Sequence, residues 1–203
     1  MSSQKASTST QQQSIGRYVL YGGAGVTAVV CLALSPFLVT PALPRRLYGA
    51  LPYQNTPKHA IDTAIKLLCK RGLRPGSKFV DLGSGAGEAT IAAAKAGFNS
   101  VGVEINPSLL FFSRLSLMSQ RGKVAGSCRF QNRNLLKMQY SNYDCLFMFG
   151  VKPLIRQLEP KLEAEVKRGA YVCLYRFQMS KEMTESAFKV VGTDGEITLY
   201  ERT

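Results

Sequence analysis

The sequence predicts an α/β domain whose mainly parallel sheet ends in an antiparallel hairpin, with a single apolar helix ahead of it. Three observations carry this. From Leu51 onward, segments of strand-like and helix-like apolar spacing alternate. A glycine-rich turn, Gly83-Ser84-Gly85-Ala86-Gly87, joins the first strand pattern to a helix pattern. Asp194-Gly195 separates the last two strand patterns and is a hairpin turn signal.

Taken in order, residues 1–16 are rich in Ser, Thr and Gln and read as a flexible basic arm, a composition shared with organelle-targeting presequences. Tyr18 to Pro44 contains no charged residue. A bilayer core needs ~20 apolar residues in a helix, so residues 17–46 are expected to form a membrane anchor or a targeting helix. Arg17 stands at one end and Arg45-Arg46 at the other, with Tyr18, Tyr21 and Tyr48 at interfacial positions. Basic residues at both flanks leave the orientation open, and a buried core helix is the competing reading.

Residues 47–203 hold the α/β domain. Ile61, Ala64, Ile65 and Leu68 place a helix over 57–70, which Gly72 ends. Strands follow at 78–82 and 100–104, with an alanine-rich helix at 87–96 between them. Pro107 starts a helix to Gln120. A short strand is expected at 129–131. Asp144 to Phe149 (DCLFMF) is a continuous apolar strand, as expected where both sheet faces are covered. An amphipathic helix at 153–167 precedes a strand at 171–177, and the hairpin takes 189–193 and 197–201.

Composition narrows the function classes. The formal net charge is +13, and no acidic residue precedes Asp62. Such a balance suits an anionic membrane surface or a nucleic acid. The basic residues form no dense run and no aromatic-interleaved motif, which disfavours nucleic acid as a direct partner. Cys31, Cys69, Cys128, Cys145 and Cys173 are scattered and never in a C-x-x-C pair, so neither a disulfide framework nor a zinc site is expected. His59 is the only histidine, which argues against a His-based triad and a multi-histidine metal centre.

The glycine turn carries the chemistry. Asp81 ends the first strand, and Gly83 and Gly85 let a ligand lie against bare backbone. Glu104 ends the next strand, where an acid can hold ribose hydroxyls. A dinucleotide needs G-x-G-x-x-G so that its pyrophosphate meets a helix N-terminus, but here the last position is Glu88, which repels phosphate. The spacing D-x-G-x-G-x-G between carboxylates suits a cationic cofactor without phosphate, and S-adenosyl-L-methionine has this chemistry. A turn that is only structural is the remaining alternative.

VDLGSGAG together with GVEINPSLLFFSR resembles the seven-strand, Rossmann-like methyltransferases, and especially the small mitochondrial protein-lysine methyltransferases. SPFLVTPALPRR, LPYQNTPKHAIDTAIKLL and YSNYDCLFMFGV extend the resemblance from Ser14 to the end. It implies class I methyl transfer from S-adenosylmethionine to a lysine of a membrane-embedded protein, first the ATP synthase c subunit. The adenine nucleotide translocase, another mitochondrial substrate such as RNA, or a weakly catalytic cofactor-binding role are alternatives. Single-pass association with the mitochondrial inner membrane is implied as well. The cofactor contacts expected are Asp81, Gly83, Ser84, Gly85, Gly87 and Glu104, with Asn134 at the adenine and Tyr53 and Thr56 in the segment that folds over the cofactor. Phe149, Gly150 and Val151 follow the fourth strand, where the acceptor enters. Ala86, Glu88 and Asn134 depart from the family pattern, and no residue is assigned as general base.

Overall fold

The structure, a computed structural model, describes residues 56–203. The expected arm at 1–16, the apolar helix at 17–46 and Tyr53 lie outside the described residues. Among the described residues, no helix is long and apolar enough to cross a membrane.

Seven strands form one sheet in the order β3-β2-β1-β4-β5-β7-β6. They are β1 (Lys78–Leu82), β2 (Asn99–Glu104), β3 (Cys128–Asn132), β4 (Cys145–Met148), β5 (Tyr171–Tyr175), β6 (Phe188–Asp194) and β7 (Ile197–Arg202). The helices are α1 (Lys58–Lys70), α2 (Glu88–Lys95), α3 (Pro107–Ser119), α4 (Lys152–Glu165) and α5 (Lys181–Ser186). All neighbours pair in parallel except β5 with β7 and β7 with β6. The chain winds outward from β1 to β3 in one direction and from β4 to β5 in the other. The boundary between β1 and β4 is therefore the topological switch point, and their carboxyl ends frame the crevice where such sheets bind ligands.

Both faces of the sheet are covered. Val80 and Leu82 of β1 point to one face, where Leu146, Val172 and Leu174 meet Ile155, Leu158 and Leu162 of α4 and Met183 of α5. Phe79 points to the other, with Phe147, Cys173, Leu68 of α1 and Ala93 of α2. Phe79 stacks against both Phe98 and Phe147, with ring centroids 6.3 and 6.2 Å apart. Cys145 and Cys173 are buried and their thiols are pushed far up by desolvation, so they act as small apolar residues.

The terminal hairpin closes one end of the sheet as expected, and the structure fixes the order within it: β7 inserts between β5 and β6, and β6 forms the border. Burial explains the order. Ile197 to Tyr200 are all buried, whereas β6 is largely exposed beyond Phe188 and carries Lys189 and Asp194, charges that protect an open edge from further pairing. A register shift between Val190 and Gly192 further disrupts this border. α5 was not expected: it is short, and Ser180 caps it by accepting a hydrogen bond from the Met183 amide at 3.2 Å.

Candidate active site

β1 ends in Asp81 and Leu82, and the chain then turns through Gly83, Gly85 and Gly87, all with positive φ (84°, 54° and 90°). The turn is pinned to β2 by its own amides. Gly83 and Ser84 both donate to the Val103 carbonyl, at 2.9 and 3.0 Å, and Gly85 donates to Glu104 Oε2 at 3.0 Å. Gly87 donates to the Ser84 carbonyl at 2.8 Å. With these donors spent inside the turn, it offers little to a pyrophosphate, which would need them free.

Asp81 is buried, on the α2 side of the sheet. Thr90 Oγ1 donates to Asp81 Oδ2 at 2.8 Å, and the Thr90 amide donates to the same carboxylate. Gly87, at the N-cap position of α2, has no side chain to cap the helix, so Asp81 supplies the cap from the preceding strand. Burial pushes the Asp81 carboxyl up to about 7. The Thr90 hydroxyl opposes this, while the negative charges of Glu104 and Glu88 add to it. Glu104 is also buried. Besides Gly85, it accepts the Asn106 amide on Oε1 at 2.9 Å, so its carboxylate is held rigidly at the end of β2.

The six glycine-turn and strand-end positions expected from the sequence, and Asn134, can now be placed. Asp81, Gly83, Ser84, Gly85 and Glu104 come together at the carboxyl ends of β1 and β2. A Cβ on Gly83 would meet nothing within 4 Å, so the backbone there faces open space. Gly87 follows in the same turn, and a Cβ there would stand 2.6 Å from the Phe130 ring and 2.9 Å from Ser113. Asn134 lies beyond β3, where its Oδ1 accepts the Leu136 amide at 2.9 Å and caps a 3₁₀ turn over Leu135–Lys137.

A second group of side chains occupies the carboxyl ends of β4 and β5. Phe149 follows β4 and meets Tyr175 of β5 edge to face, with centroids 4.8 Å apart. Gly150 lies against Met148, whose sulfur would be 3.1 Å from a Cβ, and Val151 leads into α4. Tyr175 donates its hydroxyl to Glu196 Oε2 at 2.8 Å, and Arg176 Nε donates to Glu196 Oε1 at 3.0 Å. Arg176 holds φ 69°, a left-handed conformation costing roughly 1 kcal/mol outside glycine. The hydrogen bond that its main-chain N–H donates to the Glu196 carbonyl at 2.7 Å fixes that conformation. The hydroxyl of Tyr175, then Arg176, hold the Glu196 carboxyl below its ordinary value, with a smaller effect from His59 on the first turn of α1. Thr56, one residue ahead of Pro57 and α1, is half-buried. Thr90, Tyr175, Arg176 and Glu196 were not singled out by the sequence, because each acts through a partner on a different element.

The donor set can be tested against the expected cofactor. Ser84 Oγ is buried on the glycine turn without a hydrogen-bond partner among the described residues. Asp81 and Glu104 have no cationic side chain paired with them among the described residues. An orphaned hydroxyl, an open backbone cradle and two uncompensated buried carboxylates fit a ligand that brings an ammonium, a sulfonium and ribose hydroxyls.

A parallel sheet with an antiparallel β7, the glycine turn after β1 and the acid at the end of β2 define an S-adenosylmethionine-dependent methyltransferase. Residues 81–186 match the ANTKMT methyltransferase domain, and the chain belongs to that family. It is 40% identical to the human lysine N-methyltransferase of the ATP synthase c subunit, over 82% of this chain and 67% of that protein. It is 29% identical to the mouse adenine nucleotide translocase lysine N-methyltransferase, over 86% of this chain and 75% of that one. Among solved structures, an RNA methyltransferase from Salinibacter ruber in complex with S-adenosyl-L-homocysteine superposes with a TM-score of 0.60 and 26% identity, covering 74% of this chain and 93% of that one.

Proposed function

We propose that the chain is a mitochondrial protein-lysine N-methyltransferase whose acceptor is a lysine of a membrane-embedded protein, namely the ATP synthase c subunit. The observation that carries this reading is the pairing of two half-sites at one end of the sheet. A carboxylate-lined cradle lies at β1 and β2, and an aromatic wall with a fixed carboxylate lies at β4 and β5. The relatives named for lysine methylation of that ATP synthase component supply the acceptor.

Bound S-adenosylmethionine supplies a methyl group activated on a sulfonium. Asp81 and the Ser84 hydroxyl hold the ammonium end, and Gly83 and Gly85 let the main chain approach it. Glu104 keeps lone pairs for ribose hydroxyls beyond the two amides it accepts. Asn134 Oδ1 has one lone pair left for an adenine amine, and Ile105, 43% exposed beside Glu104, offers the ring an apolar face. Tyr53 and Thr56 belong to the segment that closes over this ligand. On the acceptor side, Phe149, Gly150 and Val151 line the entry. Glu196 fixes Tyr175 and Arg176 at the mouth, and the rings of Phe149 and Tyr175 strip water from an entering lysine ammonium. Desolvation lowers the amine's hold on its proton and frees the lone pair that attacks. The apolar residues 17–46 anchor the domain at the inner membrane in a single pass, so that the mouth meets its acceptor at the bilayer.

The full chain incubated with methyl-labelled S-adenosylmethionine and membranes that hold the ATP synthase is expected to label a lysine of its c subunit, read by peptide mass spectrometry, and the Asp81→Ala variant to leave it unlabelled. Label appearing in RNA or in the adenine nucleotide translocase, with none in the ATP synthase, would overturn the assignment of acceptor.

A further inference from the structure

α3 is apolar on both of its sides. Leu109, Leu110 and Ser113 are buried against the domain. On the outside, Phe111, Leu115 and Met118 are 58%, 53% and 60% exposed. Their spacing of four and three residues aligns them in one stripe along the helix. Beside the stripe, a groove of about 570 Å³ runs between Leu115 and Met118 and the start of α2 at Glu88. Large side chains so exposed and so contiguous mark a contact surface rather than ordinary scatter.

Charge around the stripe identifies the partner. From Ile105 to Tyr143 the chain has no Asp or Glu, while it carries Arg114, Arg121, Lys123, Arg129, Arg133 and Lys137. Arg114 is exposed and lies on the same helix face, three residues after Phe111 and four before Met118. Lys123, Arg129, Arg133 and Lys137 are also exposed, and none of them, nor Arg114, forms an ion pair among the described residues. Glu88 is the only carboxylate among the residues lining the groove. An apolar stripe that carries Arg114, on a helix in a segment with basic and no acidic residues, is the arrangement of a helix that lies in the headgroup layer of an anionic bilayer. A nucleic acid would meet the charge but not the aliphatic and thioether stripe.

We propose that the outer face of α3 is a lipid-docking surface that inserts Phe111, Leu115 and Met118 into an anionic membrane. The contact belongs to the folded domain and is additional to any attachment through residues 17–46. It does not depend on which lysine is methylated.

The chain contains no tryptophan, so a single one reports its own surroundings. Full-length Phe111→Trp protein is mixed with phosphatidylcholine vesicles with and without phosphatidylglycerol. Val190→Trp on the β6 edge, 44% exposed, serves as the control. The expected result is a blue-shifted emission at position 111 with the anionic vesicles, quenched by brominated acyl chains, and no shift at 190. Replacing Arg114 and Lys123 by Gln in the Phe111→Trp protein should lower partitioning roughly fivefold per charge. Three results would overturn the proposal. One is unchanged emission at 111 while the protein floats with vesicles. Another is an equal shift at 111 and 190. The third is a blue-shifted position 111 before any lipid is added, which would show that the chain or a second copy already covers the face. Equal binding to neutral vesicles would remove the anionic lipid from the assignment.

Discussion

Asp81 holds two functions in one carboxylate: it caps α2 through Thr90, and it awaits a cation. Burial lifts it from its ordinary 3.8 to about 7, so without ligand it favours the folded state at low pH and disfavours it as pH rises through 7. The full cost approaches about 4 kcal/mol. The Asp81→Asn variant without methyl donor should therefore melt higher than the parent at pH 8, with a smaller gain at pH 5, in thermal scans. Donor binding has the opposite sign. A cation stabilises the ionised form, so affinity for S-adenosylmethionine, measured by calorimetry, should strengthen as pH rises through about 7 and then level off. That dependence should vanish in Asp81→Asn. Thr90→Val keeps the shape but removes the hydroxyl. It should weaken donor binding by roughly 10- to 100-fold, with Thr90→Ser restoring most of it. At the other half-site, Glu196→Gln should raise KM for a lysine-bearing acceptor while leaving donor affinity unchanged, as read by steady-state kinetics beside calorimetry.

Among the elements, the close approach of α2, α3 and β3 depends on two glycines. A Cβ on Gly102 would stand 2.6 Å from the Phe130 ring and 2.7 Å from Thr90 Oγ1. Gly102→Ala is expected to destabilise the domain by about 1–3 kcal/mol in denaturant titration, and to weaken donor binding as well because Thr90 is displaced. The strand and helix pattern could be read from the sequence because each element carries its own periodicity, and Asp81, the glycine turn and Glu104 stand at punctuation points of that pattern. Gly102 could not be read in this way: it lies inside a strand, and its meaning comes from a ring 28 residues later. The same holds for Glu196, which the hairpin turn returns to the side of Tyr175 and Arg176. Gly87 is a mixed case: its place in the motif suggests a ligand contact, and the Phe130 and Ser113 side chains that leave no room for a Cβ there come from β3 and α3. β7 was recognised as a strand but not placed, because apolar pattern specifies burial and leaves the choice of neighbour to the packing of the whole sheet.

For the molecule as a whole, the charge distribution and the fold point the same way. The acid-free stretches lie before Asp62 and between Glu104 and Asp144, while the remaining carboxylates are spread over the rest of the chain. A chain shortened to begin at Leu51 should still bind S-adenosylmethionine with parental affinity but methylate membrane-embedded acceptor poorly, because every proposed donor contact lies at or after Tyr53, whereas the anchor at 17–46 is lost. Equal turnover of the membrane substrate by the shortened chain would remove the anchoring role of residues 17–46.

The insertion of β7 between β5 and β6 has a consequence for how the protein is made. Among the described residues β6 pairs with no strand but β7, and β7 follows it in the chain, so β6 leaves the ribosome before the strand that joins it to the sheet. That side of the domain can consolidate only once β7 has been synthesised and has slotted in beside β5. Until then the newborn chain stays open and suited to handling by chaperones. A chain cut short after Asp194 would strand β6 and leave an unfinished sheet for the degradation machinery to find.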